Sequence, residues 1–171
     1  VAFGGDLTPK SMSKRTVVGQ RSFLEGYFAP KIRSFPREYL EKYETLPLIL
    51  IVFGNDDFRS NVSYFRSLDL PENTIVLENS VFDDKNSGIS FIGYSSVPVT
   101  PFRYKDWEKS DFYPGDFLKS RTAPPANIIL SKGRKLVSGK FEVGDFSNET
   151  IFEELSRVSS TCKYSKKVLI C

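Results

Sequence analysis

The run LPLILIV at positions 46–52 narrows the possible folds more than any other stretch of the chain. A strand with one face in water alternates apolar and polar residues. A run that is apolar throughout and rich in β-branched side chains belongs instead to a strand covered on both faces, as in a helix-flanked sheet. The run leads into FGNDD, Phe53 to Asp57. A glycine is expected where a buried strand turns out of its sheet, but one amide and two adjacent carboxylates directly after it are not. Either they form an ordinary polar loop, or this strand end holds something positive.

The remaining segments can be read around that strand. VAFGGD (1–6) reads as a strand ending in a Gly-Gly turn, and residues 7–19 as a polar, basic loop. Gln20 to Tyr43 is expected to be helical, with Phe23, Leu24, Tyr27 and Phe28 as an apolar stripe. Pro30 and Pro36 should break or kink it, giving one bent helix or two. Residues 59–71 predict a short helix with Val62, Phe65 and Leu68 inward, stopped by Pro71. Residues 74–96 read as consecutive β segments whose strongest turn signal is DKNSG at 84–88. The stretch 97–126, which carries the only tryptophan, Trp107, is expected to be mostly loop with a turn of helix near Lys105–Lys109. A hairpin is predicted over 127–139, turning at Lys132–Arg134. Thr150 followed by Glu153 is a capping-box signature for a helix with Ile151, Leu155 and Val158 as its apolar residues. KKVLIC (166–171) reads as a last strand. Strands followed by helices at both ends, with a meander and a hairpin between them, predict an α/β core with an antiparallel addition, in one domain over 1–171.

Composition excludes much. The chain has 171 residues, 24 basic and 21 acidic, for a net charge of +3. Scattered charge of that size does not argue for nucleic acid or a membrane surface as partner. No apolar stretch approaches the ~18 residues of a membrane-spanning helix, and no signal peptide is visible in these residues. Two cysteines, Cys162 and Cys171, make neither a disulfide framework nor a cysteine zinc knot, so a cytoplasmic location is the default expectation. The chain has no histidine at all. That removes the commonest general base, the Ser-His-Asp triads and most zinc sites together. Chemistry here must use carboxylates, amides, hydroxyls, lysines or arginines. There is no phosphate-binding P-loop, DKNSG lacks the spacing of a calcium loop, and SKGRK (131–135) with Lys140 reads as a solvated turn.

Two strand ends remain as candidate sites. FGGD places Asp6 after a glycine and FGND places Asn55 after a glycine. Ligands gather at the carboxyl ends of strands in open α/β sheets, and a carboxylate and an amide oxygen there are hard-oxygen ligands for a divalent cation. Equally, short motifs of this kind cap turns and helices. Tyr94, Phe102, Tyr104 and Trp107 beside Arg103 offer an aromatic pocket for a base or aryl ester, or else lids on the core.

GGDLTP followed, after a helix, by LILIVFGNDD resembles the calcineurin-like metallophosphoesterases, in which a G-D pair and a G-N-H-D/E run stand at strand ends. GISFIGYSSVPVTPF is similar to the hairpin and loop that follow these blocks in compact microbial members. TIFEELSRVSS and KKVLIC resemble the helix and strand that lead to the next ligand-bearing histidine. The resemblance implies the central part of a two-sheet α/β/β/α sandwich, with mixed sheet and antiparallel hairpins, and hydrolysis of a small phosphate ester, mono- or diester. Two divalent ions (Mn, Fe, Zn or Ni) about 3.5–4 Å apart would activate a bridging water. By the motif, Asp6 bridges the metals, Asn55 binds one of them, and Asp57 supports the loop and orients its neighbour. Asp56 stands where the family has histidine. Ionised it would repel phosphate, protonated it could donate a proton, and a plain hydrogen-bond acceptor is an equal alternative. Arg103, Tyr104 and Trp107 are the expected substrate pocket. The family's D-x-H block would precede Val1 and its later histidines would follow Cys171. The expectation is therefore an incomplete domain, truncated at both ends, weak in metal binding and inactive alone, within an active parent. A non-catalytic binding or scaffold domain of the same fold is the alternative.

Overall fold

In the computed structural model, residues 1–10, 15–111, 113, 125–142 and 149–171 are described. Parts of the loops expected over 7–19 and 97–126 lie outside the described residues. The chain is a mixed α/β structure with open sheets. Strands β1 (Ala2–Gly4), β2 (Ile49–Val52) and β3 (Thr74–Leu77) form a three-stranded parallel sheet in the order β1-β2-β3. Strands β4 (Ser80–Asp84), β5 (Ile89–Gly93) and β10 (Lys167–Ile170) form a second sheet in the order β10-β5-β4, with β10 parallel and β4 antiparallel to β5. A short parallel pair, β6 (Val97–Pro98) with β7 (Glu108–Lys109), and an antiparallel hairpin, β8 (Asn127–Lys132) with β9 (Lys135–Lys140), complete the β structure among the described residues.

The apolar run is the centre of the first sheet, and all four residues of β2 are buried. Its side chains alternate between two cores, as the two-residue repeat of a strand requires. Ile49, Ile51 and Phe53 pack with Leu24, Ile32, Val62 and Phe65 of the helices. Leu50 and Val52 point the other way, joining Leu77, Phe82, Phe91 and Ile170 in a cluster drawn from both sheets. Gly93 marks the closest approach: a Cβ there would lie 2.2 Å from Leu77 Cβ and 2.9 Å from Val52 Cγ2.

In the connection from β1 to β2, helical structure runs without a break from Val17 to Tyr43. α1 (Val17–Phe23), capped by the Thr16 hydroxyl, passes through a π-helical turn at Leu24–Phe28 into α2 (Ala29–Tyr43). The prolines do not split it as expected. Pro30, which has no N–H to donate, follows directly on the π turn, in which Ala29 N–H reaches back to Leu24 O. Pro36 sits inside α2 with its ring buried. The π turn rotates the stripe, so Leu24 is buried while Tyr27 is exposed. α3 (Ser60–Arg66) buries Val62 and Phe65, and α4 (Ile151–Ser160) opens with the capping box of Thr150 and Glu153. Near Lys105–Lys109 there is a turn and strand β7 rather than helix. Lys105 and Glu108 form a fully enclosed ion pair, 2.6 Å apart, which fixes the tight turn. Among the described residues no helix is long and apolar enough to cross a membrane.

Candidate functional site

Parallel pairing of β1 with β2 puts Gly4 opposite Val52, so both strands release their chains at the same edge. Gly5 and Asp6 then both adopt positive φ, 65° and 50°, and Gly5 N–H donates to Val52 O. Asp is one of the few side chains that tolerate this left-handed region. The second chain passes very close: a Cβ on Gly54 would fall 2.2 Å from Asp6 N and 2.6 Å from Asp6 Oδ1. Glycine at 54 is therefore a condition for Asp6 and Asn55 to stand side by side.

Asp57 locks this arrangement. Its buried carboxylate accepts from Leu7 N–H (2.9 Å), Thr8 N–H (2.9 Å), Thr8 Oγ1 (2.6 Å) and Gly54 N–H (2.9 Å). Burial pushes the Asp57 carboxyl above its ordinary value, against the hydrogen bonds that favour its charge. Its carbonyl accepts from Trp107 Nε1 at 2.6 Å. From α1, the buried Gln20 amide donates to Asp56 O and accepts from Phe58 N–H, holding the far side of the same turn. Gln20 and the Trp107 bond to Asp57 are not legible in sequence, because these partners lie 36–50 positions apart.

The other candidates divide. Asp6 Oδ1 accepts from Asp56 N–H at 3.3 Å, and Asp6 Oδ2 pairs with Lys10 Nζ at 2.8 Å. Asn55 is exposed, and among the described residues its side-chain amide makes no hydrogen bond. Asp56 binds Lys10 Nζ at 2.8 Å and Arg15 Nη2 at 2.5 Å. Burial would raise its carboxyl, but the hydrogen bonds and charges of Lys10 and Arg15 outweigh it and hold the group below the ordinary carboxylate value. In this arrangement Asp56 is an ionised acceptor that positions two cations. Arg15 in turn stacks on Tyr104, 4.2 Å from the ring centroid. Lys10 and Arg15 were missed in sequence. Their only signal is the basic character of the 7–19 segment.

Two clefts meet at Asp6 and Asn55. One, of about 530 Å³, runs from Lys10, Arg15 and Asp56 to Phe102, Arg103 and Tyr104. The other, of about 210 Å³, opens between the carboxyl ends of β1, β2, β5 and β10 and is bordered by Gly54, Tyr94, Ser95 and Cys171. Trp107 lines neither. It is only 2% exposed, packed in the helix-side core beneath Arg59, and so belongs to the scaffold rather than a substrate pocket. Tyr94 is also buried, donating to Glu154 Oε2 at 3.0 Å.

For a metal, the strand tips bring together the Asp6 carboxylate and the free Asn55 amide oxygen, with the Asp56 carboxylate beside them engaged by Lys10 and Arg15. Among the described residues no group of three or more His, Cys, Asp or Glu side chains is placed to hold an ion. Lys10, whose ammonium bridges Asp6 and Asp56, marks where positive charge fits. The donor set suits one edge of a hard cation's coordination shell, not a complete two-metal centre. Comparison with protein-family models, with curated proteins and with solved structures finds no match to this chain.

Proposed function

We propose that the chain forms part of a metal-dependent phosphoesterase, built as the central portion of a two-sheet α/β/β/α sandwich with its site at the tips of β1 and β2. The carrying observation is the juxtaposition of Asp6 and Asn55, two oxygen donors at neighbouring parallel strand ends, on a platform fixed by Asp57 without any ligand. The shared cluster of Leu50, Val52, Leu77, Phe82 and Phe91, with the close approach at Gly93, supports the sandwich.

In this reading Asp6 and Asn55 hold a divalent ion, and further ligands come from residues outside these 171. A bound ion of this kind supplies a hydroxide nucleophile at neutral pH and stabilises charge on phosphate oxygens. Asp57 keeps the two ligand-bearing turns in register. Lys10 and Arg15, tethered by ionised Asp56, carry positive charge to the phosphate side, offsetting the repulsion that a bare carboxylate would exert there. The isolated chain is expected to bind metal weakly and to show little or no turnover.

Titration of ¹⁵N-labelled chain with Mn²⁺ tests this. Paramagnetic broadening should begin at the amides of Gly5, Asp6, Gly54 and Asn55, and should vanish from them in Asp6→Asn with the rest of the spectrum unchanged. Broadening centred on Asp83 and Asp84 instead, or indifferent to Asp6→Asn, would sink the reading. The alternative is a binding or scaffold domain without catalysis, and one observation favours it: Lys10 already neutralises Asp6 and Asp56. Mn²⁺ held at the tips of β1 and β2 and released by Asp6→Asn favours the phosphoesterase reading, and any metal-stimulated hydrolysis of bis(p-nitrophenyl) phosphate, above the little or none expected of this chain and lost in Asp6→Asn, would decide for the enzyme.

A further inference from the structure

We propose that the larger cleft binds a phosphate ester whose organic part is a planar aromatic ring, with the phosphate on Lys10 and Arg103 and the ring against Phe102. This names a substrate class for the site above. It rests on the phosphoesterase reading for the fate of the ligand, but not for its binding.

Phe102 is 66% exposed on a segment hydrogen-bonded on both sides. Thr100 N–H and Oγ1 donate to the Glu108 carboxylate at 2.9 and 2.6 Å, and Lys105 Nζ donates to Thr100 O at 2.6 Å. The Lys105–Glu108 pair that anchors them is 0% and 3% exposed. On the other side, Ile129 N–H donates to Arg103 O (2.7 Å) and Lys105 N–H donates to Ile129 O (3.0 Å), tying the segment to β8. Desolvating an ion pair is expensive, and leaving a phenyl ring in water forgoes its burial. Here the first fixes the second in place at the mouth of a cleft of about 530 Å³, within the roughly 300–1,000 Å³ usual for small-molecule sites.

Charge selects the ligand's other end. Lys10, Arg15 and Arg103 face the cleft against Asp6 and Asp56. Lys10 and Arg15 are paired with those carboxylates, whereas Arg103 has no ion-pair partner among the described residues. One uncompensated guanidinium beside an anchored aromatic ring matches an anion that carries a ring. Arg15 stacked on Tyr104 adds a flat, cationic wall, and its Nε–H is buried without an acceptor. Guanidinium planes and aromatic faces both stack on planar rings.

The test is isothermal titration of the whole chain in EDTA at low salt with ribose 5-phosphate, phenyl phosphate and AMP. At least one aromatic ligand should bind about tenfold more tightly than ribose 5-phosphate, the gain expected of a single stacked ring. Which of the two gains shows whether the ring is joined to phosphate directly or through a sugar. Phe102→Ser should erase the gain and Phe102→Tyr should keep it, while Lys10→Met weakens all three alike. Phe102 is exposed, so an unchanged melting curve is the check on folding. Equal affinity for the three ligands, no binding of any, or a preference that survives Phe102→Ser overturns the proposal. Because no metal is present, a failed Mn²⁺ experiment with an intact ring preference removes the phosphoesterase reading alone. Localised Mn²⁺ without ring preference removes this one alone.

Discussion

Asp57 accepts hydrogen bonds from both turns, so a single buried carboxylate ties the chain leaving β1 to the chain leaving β2. Asparagine is nearly its shape but presents an NH₂ where donors already point. Asp57→Asn should therefore cost about 3 kcal/mol, the loss of charge-assisted hydrogen bonds plus an unsatisfied donor, read as a lower midpoint in urea unfolding. An unchanged midpoint would mean the two turns are held by something else. Asp56 makes a different prediction. Its folded pKa is depressed, so its contribution to stability is complete above the ordinary carboxylate value and is lost as pH falls through the depressed one. Asp56→Asn removes a group whose protonation the fold resists. Unfolding free energy between about pH 5 and about pH 2 should fall less steeply in the variant than in the parent chain. Asp57 has the opposite sign, since its raised pKa favours the folded state at low pH and loses that effect as pH rises, so it does not mimic this acid limb.

The elements differ in how they meet, and Gly93 is the sharpest case. With Leu77 Cβ 2.2 Å from where its own Cβ would stand, Gly93→Ala forces β5 away from β3. A loss of roughly 1–3 kcal/mol is expected from overpacking, measurable by thermal melting, and a neutral result would show that the sheets have slack there. Elements of this kind were legible wherever their signal is local. The unbroken apolar run of β2, the DKNSG turn and the Thr150–Glu153 capping box each involve residues within a few positions, and each forms where read. The π turn was not legible, because it settles a conflict between Pro30's missing N–H and the helix stripe that packing against Phe3 and Phe65 decides. Trp107 was misplaced for the same reason. Its burial depends on Asp57 O and Arg59, 50 and 48 positions away, and no local pattern announces either. At the site, the two glycine-marked strand ends were readable, whereas Lys10, Arg15 and Gln20 reach it only through the folded chain.

At the level of the whole molecule, β2 is a shared wall. Ile49, Ile51 and Phe53 bind it to the helices, and Leu50 and Val52 bind it to the second sheet. Neither core can be lost without exposing one face of this strand, so the two should unfold together. Trp107 makes this testable, because the only tryptophan sits in the helix-side core while Leu77 belongs to the cluster between the sheets. Leu77→Ala leaves a cavity and should cost about 2–5 kcal/mol. If the molecule is one cooperative unit, Trp107 fluorescence and far-UV circular dichroism will shift to the same lower midpoint in Leu77→Ala. If Trp107 fluorescence keeps the parent midpoint while dichroism acquires an early phase, the second sheet melts alone. The strand tips carrying Asp6 and Asn55 would then stand on the first sheet and its helices without support from the second.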